Sequence, residues 1–314
     1  MTAEPAMIFV TGKGGTGKST IAAALALQQA RQGKRVQLIE LASHSFFSAV
    51  EAGADETQQG SLDAADPTSL VTILEGVELF RLDPMASLKQ YIKRFTLFEA
   101  AAKLLLDSKP ARGVLNTLPG LKELAIVGKL THCLEQNQSS VNSYDITVVD
   151  CFSTGHFLAL LRAPNALAQS IRSGPMGQQC RKMMRQLSDP TLCRYLIVTL
   201  PEELPLAESL ELSVTLTNEL DINADFICNK TLPSDIAEVE EAAETAGDSF
   251  SNYLNDWQQR QTRVLDELSQ HSGKAAVAEL PFCFEVDLSR QVDVLAQVLE
   301  SADSLNLVTG VVDD

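Results

Sequence analysis

The feature that most limits what this chain can become is the string Gly12-Lys13-Gly14-Gly15-Thr16-Gly17-Lys18-Ser19, which joins an apolar run to an alanine-rich one. Ala6 to Thr11 is short and apolar, the pattern of a strand buried on both faces. Ser19 to Gln32 is rich in alanine and leucine and favours a helix. Glycines in the connecting loop let backbone N–H groups turn inward, and the helix start adds its partial positive charge, so the turn is a cradle for phosphates. The string satisfies G-x-x-x-x-G-K-S/T in full, in the required context of strand before and helix after. Lys18 is expected to reach the β- and γ-phosphates, and the Ser19 hydroxyl to ligate magnesium. The reading is ATP with Mg2+, held by Gly14, Gly15, Thr16, Gly17, Lys18, Ser19 and Thr20.

The rest of the chain reads as further strand and helix units. Arg35 to Leu41 is a second strand, which makes the opening a βαβ unit, and Val71 to Leu82 is strand with a turn at Glu75-Gly76. From Pro84 to about Gln138 the spacing of apolar residues is helical, interrupted at Pro110 and Pro119-Gly120. Strands return at Asp145 to Asp150, Cys193 to Leu200, Ala224 to Lys230 and Ala275 to Leu280. Helices are expected at Leu206 to Leu220, across the acidic stretch Ser234 to His271, and at Val286 to Ser301. This alternation predicts an α/β fold with a mostly parallel, doubly wound sheet. Residues 1–314 are expected to form one domain, carrying a helical insertion over 85–140 whose apolar stripe is either core or a groove for a protein or hydrophobic cargo.

Composition excludes several other functions. No apolar run approaches the ~20 residues of a membrane span, and the N-terminus with Glu4 and Pro5 does not read as a signal peptide, so no integral membrane segment is expected and the cytoplasm is the expected compartment. A formal charge of −16 argues against general nucleic-acid binding. The charge is uneven: residues 85–185 carry thirteen Lys/Arg against six Asp/Glu, either a docking face or a solvated helical surface. The six cysteines form no CxxC pair, and read as buried hydrophobes or as a soft-metal site assembled from distant positions.

Lys13 narrows the reading, because cradling phosphate within one chain does not require it. The string resembles the deviant Walker A motif, KGGxGK(S/T), of the ATPases that include MinD, ParA, the nitrogenase iron protein, the arsenical-pump ATPase and the tail-anchored-protein targeting ATPase. The resemblance implies that Lys13 crosses a dimer interface to the partner's nucleotide, in a homodimer or a heterodimer with a paralogue. Asp150-Cys-Phe-Ser-Thr-Gly-His-Phe-Leu-Ala-Leu-Leu-Arg-Ala-Pro164 is similar to a stretch of the arsenical-pump and targeting branch, with matches at Asp150, Thr154, Gly155, His156, Leu158, Leu161 and Pro164. Leu118 to Leu124 and Thr199 to Glu208 resemble two more segments of that branch. On this resemblance Asp150 holds magnesium through water, Asn229 reads the adenine base and Pro281 opens a second adenine loop. His156 is left as either a sensor of the γ-phosphate or a structural residue.

The departures from that branch concern hydrolysis. The aspartate that orients the attacking water follows the second strand, and Ala42 occupies that position when the run Leu38 to Phe47 is aligned without gaps. Glu40 or His44 would have to substitute, and Glu40 shares a side of the strand with Ala42. The expectations are therefore an ATPase with Lys13, Lys18 and Glu40 as catalytic candidates, or a nucleotide-binding regulatory subunit with little turnover.

Overall fold

The computed structural model describes residues 5–41, 71–82 (except 75), 87, 120–139, 143–170, 174–232 and 248–301 (except 274 and 276). Among the described residues eight strands form a single sheet: β1 (Met7–Gly12), β2 (Val36–Glu40), β3 (Val71–Leu74), β4 (Val77–Arg81), β5 (Ile146–Ser153), β6 (Cys193–Thr199), β7 (Asp225–Thr231) and β8 (Val277–Pro281). Their spatial order is β3-β4-β2-β5-β1-β6-β7-β8. Neighbouring strands from β4 to β8 are parallel, and β3 alone runs antiparallel, against β4 at the edge. The expected α/β fold with a mostly parallel sheet is what the chain adopts.

The strands alternate their side chains between two cores, which is the physical content of a doubly wound sheet. Ile8, Val10, Leu38, Val148, Leu196 and Val198 face one side, against α1 (Lys18–Arg31) and α7 (Leu288–Ser301). Met7, Phe9, Ile39, Val149, Tyr195 and Ile197 face the other. That second face is covered by α2 (Leu121–Ser139), α3 (Thr154–Ser170), α4 (Pro175–Leu187), α5 (Glu203–Leu220) and α6 (Asp248–His271). At its centre Phe9 stacks on Tyr195 with ring centroids 4.9 Å apart, and the buried Tyr195 hydroxyl donates to the Leu187 carbonyl at 2.7 Å.

The described part of the expected 85–140 insertion is α2, and it is built into this core: Leu124, Val127, Leu130 and Leu134 are buried beside Phe157 and Leu161 of α3. Residues 88–119 lie outside the described residues, as does the first part of the expected helix over 234–271. Between β5 and β6 lie two helices, the first expected only as a helix start near His156 and the second not expected. In α3 Pro164 sits mid-helix and buried, where a proline ordinarily kinks or ends a helix. In α4 the apolar spacing of Cys180, Met183 and Leu187 is helical, on an otherwise polar segment. α5 begins at Glu203 rather than Leu206, because Pro205 falls in its first turn, where no backbone N–H is required.

One glycine sets how closely the central strands approach. Gly12, at φ +146°, ends β1 against β6, and a Cβ there would lie 2.1 Å from the Val198 carbonyl oxygen. Gly12→Ala is therefore expected to cost about 3 kcal/mol or more of stability, from backbone strain and overpacking together. Urea unfolding monitored by circular dichroism checks this, and a change below about 1 kcal/mol would mean the strand ends can separate without loss.

Candidate functional site

The site forms where β1, β2, β5, β6 and β7 end on the same edge of the sheet, the edge at which open parallel sheets bind ligands. β1 ends at Gly12, and residues 13–17 turn over the edge into α1, whose N-cap Gly17 is left-handed at φ 91°. The loop closes on one of its own carbonyls. The oxygen of Lys13 accepts from the Thr16 hydroxyl at 2.9 Å and from the Lys18 ammonium at 3.0 Å. Gly14 and Gly15 are exposed and Thr16 is buried. Burial lowers the Lys18 pKa, while Asp150 and Cys151 act in the opposite direction. A partly desolvated ammonium beside a glycine loop at a helix start is a strong site for a polyanion.

Asp150 stands beside this loop near the end of β5, 3% exposed. It accepts a hydrogen bond from Ser19, whereas its Oδ1 is buried with no hydrogen-bond partner among the described residues. Burial pushes its carboxyl up to about 6; the Ser19 hydrogen bond and Lys18 oppose that rise, and the charge of Glu40 adds to it. An orphaned carboxylate oxygen next to a serine hydroxyl is a donor set suited to a hydrated divalent cation, which takes oxygen ligands and keeps some of its waters. Thr20 lies half-buried in the first turn of α1, immediately after Ser19.

Glu40 pairs in register with Asp150 across β2 and β5. Its carboxylate is completely buried and meets the Arg81 guanidinium of β4 at 3.1 Å, a partner the sequence did not suggest. Ala42 and His44 lie outside the described residues. Lys13 pairs with Glu208 of α5, Nζ to Oε1 at 2.7 Å, with both side chains about one-third exposed. Asn229, at 4% exposed, donates from Nδ2 to the Thr16 carbonyl at 2.8 Å, so it touches the glycine loop itself. Pro281 pairs with Thr231 at the end of β8. His156 lies exposed in the first turn of α3, edge-on to Phe152. Five of the six cysteines are buried, and no cluster of three metal-ligating side chains occurs among the described residues.

The structure thus gathers Lys13, Lys18, Ser19, Glu40, Asp150 and Asn229 at one edge of the sheet. The sequence missed Glu208 as a partner of Lys13, 195 residues away, and Arg81 as a partner of Glu40. No local spacing signals contacts of that range; only the β2–β4 register brings Glu40 opposite Arg81.

The sequence profile of the anion-transporting ATPase family matches residues 6–173 and 174–301. The chain belongs to the anion-transporting ATPase family. Among its relatives, ATPase BagA of Mycobacterium tuberculosis is 30% identical over 250 residues, covering 77% of this chain and 71% of the relative. ATPase GET3 of Kluyveromyces lactis is 24% identical over 309 residues, 88% of this chain and 84% of its own length. The arsenical pump-driving ATPase of Acidiphilium multivorum is 29% identical over 210 residues, 62% of this chain but only 34% of the relative. This member of the family is an ATPase, and no helix among its described residues is long and apolar enough to cross a membrane.

The buried acid of this ATPase has a measurable signature. Its native carboxyl holds a proton to about pH 6, whereas an unfolded one releases it near 3.8. The metal-free protein should therefore lose stability as pH rises from about 3.8 through about 6, by on the order of 3 kcal/mol in all. Asp150→Asn is expected to remove that slope and to be more stable than wild type at pH 7 without Mg2+. Unfolding midpoints across pH 4–8 test this, and an equal slope in both proteins would assign it to another group.

Proposed function

We propose that the chain is a Mg2+-dependent ATP-binding ATPase in which nucleotide gates the association of two subunits, and that association in turn controls a cargo or partner. The observation that carries this reading is the convergence of the Lys18 ammonium, the Ser19 hydroxyl and the orphaned Asp150 carboxylate oxygen at the mouth of the glycine loop. Lys18 would bind the β- and γ-phosphates, while Ser19 and Asp150 would hold the cation. The cation, when bound, neutralises phosphate charge and orients the γ-phosphoryl group. Asn229 and Pro281 would flank the base. Free, buried cysteines are consistent with a reducing compartment such as the cytoplasm.

Lys13 would act on the nucleotide of the partner subunit, whether that is a second copy or a paralogue. Within one chain its ammonium is held by Glu208. A partly exposed pair of this kind is worth about 0–1 kcal/mol, so a partner's phosphates can draw the lysine away at small cost. Whatever cargo is bound, the expected helical segment over 85–140 is its proposed seat, and nucleic acid is not a proposed partner.

A second reading, a nucleotide sensor with slow turnover, is favoured by Glu40. The carboxylate proposed to replace the acid missing at Ala42 is fully buried and engaged by Arg81 rather than open to water. General-base assistance is worth about 10² to 10⁴ in rate, so its loss would leave a tight but slow ATPase.

Lys18→Ala is expected to weaken ATP binding by roughly 100-fold, the loss of charge-assisted bonds to phosphate. Lys13→Ala should bind ATP normally but fail to self-associate with a non-hydrolysable analogue. Glu208→Gln, which frees Lys13, should self-associate about 2- to 5-fold more tightly. Fluorescent-nucleotide titration and sedimentation velocity report the two effects separately. Self-association of Lys13→Ala equal to wild type would remove the role in trans.

Steady-state turnover decides between enzyme and sensor. The expected wild-type rate is below roughly one per second, and Ala42→Asp should raise it without changing ATP affinity. A faster wild-type rate that Glu40→Gln abolishes would instead make Glu40 the base.

A further inference from the structure

Asn229 stands near the end of β7, where the register between β7 and β8 slips. The extra residue, Lys230, takes up the slip in a left-handed conformation at φ 61°. Thr231 resumes the pairing: its hydroxyl donates to the Leu280 carbonyl at 3.1 Å, and its own carbonyl accepts from the Phe282 N–H at 2.8 Å. The segment that opens at Pro281 is thereby tied to the residues that follow Asn229. On the other side, the Asn229 carboxamide lies against the phosphate loop. Its Nδ2 donates to the Thr16 carbonyl, and a Cβ added to Gly17 would sit 2.4 Å from the same nitrogen. Gly17 is thus small for a reason separate from phosphate: the loop and this amide share the space. Thr16 in turn donates its hydroxyl to the Lys13 carbonyl, the same oxygen that Lys18 uses.

A primary amide carries two N–H donors and a carbonyl acceptor. Thr16 takes one of the donors. The other donor and Oδ1 form the pair that matches N7 and the 6-amino group of adenine. We infer that Asn229 is a positioning residue that couples base to phosphate: one amide plane reads the 6-amino edge and, through Thr16, sets the cradle that Lys18 closes. The inference rests on the ATP-binding reading proposed above. It assigns Asn229 a second task, felt even by a ligand that has no base. It also makes base and phosphate binding cooperative rather than independent, because ordering the amide for one partner lowers the entropy lost in ordering it for the other.

The test is calorimetric titration of the full chain with Mg-ATP, Mg-ITP and inorganic tripolyphosphate. Asn229→Ala should weaken tripolyphosphate by roughly 3- to 10-fold, the loss expected for one hydrogen bond, weaken ATP further, and erase the preference for ATP over ITP. Asn229→Asp keeps the shape but sets a carboxylate oxygen against the Thr16 carbonyl, so it should bind tripolyphosphate less well than Asn229→Ala does. The wild type supplies a reading free of any folding defect: saturating adenine should tighten tripolyphosphate by a few-fold, and hypoxanthine should not. Unchanged tripolyphosphate affinity in Asn229→Ala, or no effect of adenine on the wild type, overturns the coupling while leaving nucleotide binding intact. A wild type that binds neither ATP nor tripolyphosphate would instead overturn the nucleotide reading and the coupling with it.

Discussion

Burial of one carboxylate organises the working edge of this molecule. Asp150 is 3% exposed, and a charge in that position is tolerable only with compensation from its surroundings. Ser19 supplies a hydrogen bond and Lys18 a positive charge, while Glu40 on the neighbouring strand makes the burden heavier. The carboxyl answers by holding its proton to about pH 6. What would relieve it fully is a cation, and one of its oxygens is left without a protein partner. The proposed metal site follows from an electrostatic deficit that the fold itself creates.

The glycine loop is likewise braced by elements far away in sequence. α5 holds Lys13 through Glu208, and β7 holds Thr16 through Asn229, while the Lys13 carbonyl collects Thr16 and Lys18 from within. These contacts differ in strength for a physical reason. The Lys13–Glu208 pair is about one-third exposed and therefore cheap to break, which suits a residue proposed to leave for a partner. The Asn229–Thr16 bond is buried, and losing one partner would strand a desolvated carbonyl, which suits a residue that must stay in place.

Glu40 shows how burial redirects a functional reading. The register of β2 against β5 sets it opposite Asp150, on the same side of the sheet. Nothing in the strand's own sequence announces Arg81, which arrives on β4. With that partner the carboxylate is part of a buried ion pair, and breaking such a pair by removing one member typically costs about 3–5 kcal/mol. The residue that spacing nominates as a base is thus engaged in holding the strand ends together.

The local sequence determined those features whose cause is local. The glycine string between an apolar and an alanine-rich run could only be a strand–loop–helix cradle, and it placed Lys18 and Ser19. The apolar run before the glycine string marked a strand buried on both faces, whose successive residues then enter the two cores, and the order of strands and helices specified a mostly parallel sheet. What remained for the tertiary structure was every contact between residues far apart in the chain. Such contacts include Glu208 on Lys13, Arg81 on Glu40 and Asn229 on Thr16, and also the helical continuity of α3 through Pro164, which burial against the sheet sustains. Spacing along a chain encodes which face a residue takes, because helix and strand periods are short. It does not encode which residue of another element will face it, because that depends on strand order and register, which only packing of the whole sheet settles.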